Sequence, residues 1–166
     1  MKKAEVEYVS RKDCEDAGFI RVPGRPVQKL STLEVYGAKG YLDYGDKRYT
    51  SMDRVAVGLK LAADFYLGGL NTVSAVDVGK IRVDGGGSIV GAEKKAFHED
   101  RYRKAIAVVP LEFWEVVRLV VIEDKPIKVV GSDRQVNKEL FLKRVDLCRG
   151  LDRLIDFYLS RALNFE

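Results

Sequence analysis

The sequence predicts a mostly α-helical protein whose two helical parts pack together across a glycine-rich loop. Three observations carry that expectation. Apolar residues recur at three- and four-residue spacing over several stretches, the signature of a helix with one buried stripe. Hydroxyl side chains stand where those stretches begin, at Ser31 or Thr32, at Thr50 or Ser51, and at Ser132, ready to accept from orphan backbone amides. Glycines cluster where the stretches end or meet, at Gly68-Gly69 and Gly85-Gly86-Gly87.

Residues 1–30 read as an irregular basic arm, because Pro23, Gly24 and Pro26 break any helix. Arg21, Arg25 and Lys29 would let it follow a DNA groove or a protein partner, although a plain chain terminus is the commoner outcome. Residues 31–166 form the single helical domain. Its N-terminal part, 31–70, holds a short helix over LEVYGAKGYL and a longer one after Thr50, with Asp53 suited to the positive end of the helix dipole. Val55, Leu59, Ala62 or Ala63, and Tyr66 are the expected buried stripe of the longer helix.

Residues 71–91 are the least helical part. Val76, Val78, Ile81 and Val83 around Gly79-Lys80 fit a small β-hairpin, and an ordered loop fits equally. The glycine triplet invites a phosphate-loop reading, which fails: Ala92 and Glu93 stand where Lys and Ser/Thr are required. The dinucleotide fingerprint fails as well, since its third glycine is misplaced. A joint between two helical halves accounts for the glycines better.

Residues 92–166 are the C-terminal part. A charged helix from Ala92 to Val109 is interrupted by Pro110, and Glu112, Phe113 and Trp114 open the next helix. Val116, Val117, Val120 and Val121 are its expected buried side, with β-branching that makes packing rather than propensity hold it. Trp114 is expected in the core. Asp124, Lys125 and Pro126 form a turn. Ser132 then caps the longest helical pattern, with Phe141, Val145, Cys148, Leu151, Leu154 or Ile155, Tyr158 and Ala162 along one stripe. Gly150 within it costs about 1 kcal/mol against alanine and suggests a bend or a close helix crossing.

Composition limits the function classes. The 46% hydrophobic and 33% charged residues allow a full core and argue against wholesale disorder. A net charge of +4 is only mildly basic, so nucleic-acid binding would have to come from local clustering of cations. The longest apolar run, Leu119–Ile122, is far too short to span a bilayer. No apolar block follows Lys2 and Lys3, so neither a signal peptide nor a membrane association is expected and the location is taken as cytoplasmic. Cys14 and Cys148 lie far apart, and with His98 they give no zinc spacing. A solvent-facing His98, buried thiols without a disulfide, no metal and no cofactor are the expectation.

The order from Arg101 to Ile127 (basic helix, proline, amphipathic helix, polar turn) resembles the entry into a helix-turn-helix of the sigma-factor promoter-reading region. The segments RYTSMDRVAVGLKLAADFY, RYRKAIAVVP and LCRGLDRLIDFY also resemble helical proteins of alphaproteobacterial chromosomes, prophages and gene-transfer agents. Some of those act as transcription regulators with sigma-region-4-like helix-turn-helix character. The resemblance spans about two thirds of the chain, Tyr41 to Tyr158. It implies double-stranded DNA or RNA polymerase as partner and no cofactor; separately, no enzymatic activity is expected. It also implies that Ser132 to Lys138 lie near the recognition position. One departure stands out: between Ile127 and Ser132 there are too few residues for the motif's usual first helix, so PIKVVG must be a single turn or an extended bridge.

The candidate DNA-binding set is therefore Arg101, Arg103 and Lys104 on the first basic helix, and Ser132, Arg134, Gln135, Asn137, Lys138, Lys143 and Arg144 on the last. Arginine can bridge guanine, Gln and Asn can pair with adenine, and a helix N-terminus favours phosphate. Mixed charges at these spacings are also what an ordinary solvated helix face shows. Two other readings compete. Asp77, Asp84, Glu93 and Lys95 would be the residues of a Mg²⁺-dependent nuclease, though nuclease cores usually present such groups on a sheet. A packaging or polymerase-docking adaptor, with homo-oligomerisation, fits the helical content and Trp114.

Overall fold

The computed structural model describes residues 19–20, 28–70 and 89–163, with side chains over 30–70 and 91–161. The expected hairpin at Val76–Val83, the glycine triplet Gly85–Gly87, Cys14 and most of the basic arm lie outside these residues. Within the arm, Phe19–Ile20 (β1) and Gln28–Lys29 (β2) pair antiparallel, Phe19 opposite Lys29 and Ile20 opposite Gln28. The remaining elements are helices: α1 Thr32–Ala38, α2 Ser51–Leu67, α3 Ile89–Ala107, α4 Leu111–Val117 and α5 Asp133–Leu163.

Local chemistry fixes the helix starts. Ser31 accepts from the Glu34 amide while the Glu34 carboxylate receives the Ser31 amide at 2.8 Å. Thr50 and Asp53 form the same reciprocal box at the head of α2, with the Thr50 amide donating to Asp53 at 2.7 Å. Each box fills two backbone donors that a helix start otherwise leaves open. At the other end of α2, Gly69 sits at φ +66°, a left-handed conformation that glycine adopts without strain and that stops the helix.

Beyond Val117 the chain continues as a π-helical turn, Arg118–Ile122. The wider turn brings Val120, Val121 and Ile122 inward together with Val116 and Val117, so a run of β-branched residues is buried where an α-helix would have turned part of it outward. The turn closes on Asp124, a non-glycine residue at φ 52°. Asp124 is held there by Thr32, whose amide donates to Asp124 Oδ1 at 2.6 Å and whose hydroxyl donates to the Asp124 carbonyl at 3.0 Å. The Ile127 amide donates to the Tyr36 hydroxyl at 2.8 Å. Residues 123–132 are thus an extended bridge pinned to α1, not a helix, and longer than the three- to four-residue turn of a tight helix-turn-helix.

A single hydrophobic cluster joins the N-terminal and C-terminal parts, from Leu33, Leu42 and Leu61 to Val117, Leu147, Leu151 and Leu154. Two buried faces differ from expectation. On α2 the inward face carries Arg54, Val57, Gly58, Leu61 and Asp64, whereas Leu59 and Tyr66 of the expected stripe are 40% and 52% exposed. On α5, Cys148, Leu151, Leu154, Ile155 and Tyr158 are buried as read, joined by Leu147 and Asp152, while Phe141 is exposed. Gly150 marks a close crossing: a Cβ there would meet Val117 Cγ2 at 2.5 Å and Phe113 Cβ at 3.3 Å. Trp114 is half-buried at the core margin, edge-on to Tyr102.

Candidate nucleic-acid interface

Two charged networks are sealed between the helices, and they decide which cations remain available. In the first, Arg54 is 2% exposed and donates to Asp152 Oδ1 at 2.7 Å, to the Leu42 carbonyl at 2.9 Å and to the Asp46 carbonyl at 2.7 Å. Asp152 also accepts the Asp46 amide at 2.7 Å. Gly45 lies directly over this pair, where any Cβ would collide with both Arg54 and Asp152. Each nitrogen of the Arg54 side chain and both Asp152 oxygens are engaged, as burial of an ion pair demands.

In the second network, Asp64 is fully buried and collects donors from two other helices. Arg101 Nε and the Tyr158 hydroxyl each reach Oδ2 at 2.7 Å, Arg101 Nη2 donates to Oδ1, and His98 Nδ1 lies 2.8 Å from Oδ1. Burial alone would raise the Asp64 pKa, but hydrogen bonds from Arg101, His98 and Tyr158 outweigh it and hold the carboxyl below its usual value. Burial and the Asp64 bond push the Tyr158 phenol far above its normal range. His98 is therefore not solvent-facing as expected: it is half-buried against Asp64. The pair has the orientation of a carboxylate-steered imidazole, yet no hydroxyl or thiol bonds to His98 among the described residues.

These placements sort the ten candidate residues. The Arg101 guanidinium is committed to Asp64, with its side chain 21% exposed, and is removed from any interface. Arg103 and Lys104 are exposed but paired along α3 with Glu99 at 2.7 Å and Asp100 at 2.8 Å. Arg144 lies over the Tyr41 ring, 3.5 Å from its centroid, with a buried Nε lacking a partner, so it too serves packing rather than solvent. Ser132, just before α5, and Arg134, Gln135, Asn137, Lys138 and Lys143 on its leading half are exposed.

Arg134, Lys138, Lys143, Arg149 and Arg153 make no ion pair among the described residues. Spacing of four puts Arg134, Lys138 and Leu142 on one line of α5, which Arg149 and Arg153 continue. The line from Arg134 to Arg153 extends ~28 Å at 1.5 Å per residue. Glu139, which receives Gln135, and Asp146 flank it. The DNA-binding set expected from the sequence includes Arg134 and Lys138 but not Arg149 and Arg153. Sequence reasoning overlooked Arg54, Asp64 and Asp152 altogether, although each falls on the buried face of its helix.

Arg149 and Arg153 also border a cleft of about 620 Å³ between α5, the start of α4 and the loop 44–48. Among the described residues no group of three or more His, Cys, Asp or Glu side chains is placed to hold a metal ion. Of the nuclease set, Asp77 and Asp84 lie outside the described residues, and Glu93 and Lys95 are exposed on α3. No described helix is long and apolar enough to cross a membrane. Comparison with family models, curated proteins and solved structures gave no match.

Proposed function

We propose that this chain is a non-enzymatic DNA-binding protein that acts on transcription, meeting the phosphate backbone through the outward line of α5. The observation that carries the reading is the set of unpaired cations Arg134, Lys138, Lys143, Arg149 and Arg153 on one helix, while on α3 Arg101, Arg103 and Lys104 are taken by carboxylates and only Lys94 and Lys95 are without an ion pair among the described residues. Unpaired Lys and Arg displace condensed counterions from DNA, and that release gives affinity without strong overall charge. Backbone contact of this kind orients the protein, and Gln135 and Asn137 at the head of α5 supply groups able to read base edges.

The test is binding to duplex DNA over a salt series. Each lost phosphate contact reduces the salt dependence by about one unit of slope. The double variant Arg134→Glu/Lys138→Glu is expected to lower the slope by about two and weaken binding to every sequence. Binding indifferent to salt, or unchanged in that variant, removes the proposal. A polymerase-docking or packaging adaptor is the second reading, favoured by Phe141 and Leu142, 47% and 49% exposed beside the cations, with Tyr44 packed edge-on to Phe141. A protein complex that survives neutralisation of the α5 cations but is lost on Phe141→Ser/Leu142→Ser selects that reading.

A further inference from the structure

We infer that the cleft between α5, the N-terminus of α4 and the loop 44–48 binds a nucleoside monophosphate group. Its volume of about 620 Å³ falls within the range of small-molecule sites, roughly 300–1,000 Å³. Three features of its lining converge on this chemistry.

The first is which charges are already engaged. Asp152 is held by Arg54, Asp46 by Arg48 at 2.8 Å, and Asp156 accepts the Tyr49 hydroxyl. Arg149 and Arg153, four residues apart on α5, have no such partner among the described residues. They therefore present an open set of guanidinium donors matched to phosphate oxygens.

The second is the aromatic lining. Tyr44, 41% exposed, and the half-buried Phe113 both border the cleft and offer ring surface to a planar base. Phe113 stands close to Gly150 of α5, where an added Cβ would lie 3.3 Å from Phe113 Cβ.

The third is Glu112, which lines the same cleft and has no hydrogen-bond or ion-pair partner among the described residues. With Arg54 beneath Gly45 counted, the four guanidinium groups and four carboxylates of the cleft cancel, so bare phosphate has little overall attraction to it. A ligand with an anionic end for Arg149 and Arg153 and an amino edge for Glu112 fits that balance better. A nucleotide bearing an exocyclic amino group has both.

The group can belong to a free mononucleotide or to the 5′-phosphorylated end of a strand. The inference does not need the transcription reading: Arg149 and Arg153 serve both, but Arg134 and Lys138 lie outside the cleft, so the two readings can fail separately. The experiment is titration of the full chain with GMP, AMP, CMP, UMP and inorganic phosphate, followed by calorimetry and by ³¹P line broadening. Saturable binding of GMP, AMP or CMP, at least tenfold tighter than inorganic phosphate and tighter than UMP, is expected. Arg149→Gln/Arg153→Gln should weaken it at least tenfold, Tyr44→Ala should weaken nucleotide but not inorganic phosphate, and Glu112→Ala should erase the preference over UMP.

Arg134→Glu/Lys138→Glu should leave nucleotide binding intact, which separates this test from that of duplex binding. A bound nucleotide displaced by 5′-phosphorylated but not 5′-hydroxyl oligonucleotides identifies the strand end as the source. Displacement by neither identifies the free nucleotide. Absence of saturable binding at millimolar nucleotide, indifference to Arg149→Gln/Arg153→Gln, or equal displacement by 5′-hydroxyl strands overturns the inference.

Discussion

Asp64 shows how one side chain can tie three helices. It lies on α2 and draws Arg101 and His98 from α3 and Tyr158 from α5. Removing one partner of a buried charged network typically costs about 3–5 kcal/mol. Asp64→Asn keeps the shape but leaves Arg101 without its counter-charge, and a loss of about 3 kcal/mol in urea unfolding is expected. The pH sign follows from the depressed carboxyl pKa. The folded protein holds Asp64 ionised below its unfolded pKa of about 3.9. Its contribution is therefore complete above that value and disappears as pH falls through the folded pKa. Wild-type stability should drop on acidification below about pH 4 more steeply than that of Asp64→Asn; parallel acid profiles would assign the sensitivity to other carboxylates. Gly150 is the second informative residue. Helix propensity favours alanine there by about 1 kcal/mol, yet the added Cβ would press on Val117 and Phe113. Overpacking costs about 1–3 kcal/mol, so Gly150→Ala should lower the melting temperature, where an exposed helical glycine would raise it.

At the scale of elements, α3 and α5 are both rich in cations and differ in what those cations touch. Charge reversal at Arg103 and Lys104 removes two exposed pairs, each worth well under 1 kcal/mol, and frees Glu99 and Asp100. Duplex affinity should then change several-fold less than in Arg134→Glu/Lys138→Glu; an equal loss would place α3 in the interface. The sequence alone carried much of this frame. Capping residues at Ser31 and Thr50, the break at Pro110 and the long apolar stripe through Cys148, Leu151 and Tyr158 were legible because each depends on local spacing. The inward face of α2 was misread because hydrophobic periodicity gives no weight to a charged residue: Arg54 and Asp64 hold buried positions through partners far along the chain. The same long-range pairing hid the fate of Arg101. Its sequence neighbours Arg103 and Lys104 look alike, and only the fold turns one of the three inward. The π-helical turn was invisible for a related reason, since Val116 to Ile122 reads as an ordinary amphipathic helix until Val116, Val117 and all of Val120–Ile122 prove buried.

Across the whole molecule, the Arg54–Asp152 pair fastens α2 to α5 beneath the loop 44–48. Either Arg54→Met or Asp152→Leu alone should destabilise by about 3–5 kcal/mol, each stranding a buried charge. The double variant should be more stable than either single, with incomplete recovery because the Leu42 and Asp46 carbonyls lose their donor. Additive losses in that cycle would mean that the two side chains act independently. The helical stretch from Asp133 to Asp146 has a different standing, since none of its residues is fully buried and the first that is, Leu147, comes after some four turns. Those turns behave as a cantilever clamped at Leu147 and touched along its inner half at Leu140, Phe141 and Arg144. Their amides should exchange with deuterium sooner than those of Leu147–Tyr158, because opening them exposes little apolar surface. A polyanion laid along the overhang would slow that exchange while leaving the clamped portion unaltered, a signature of engagement legible without any affinity measurement.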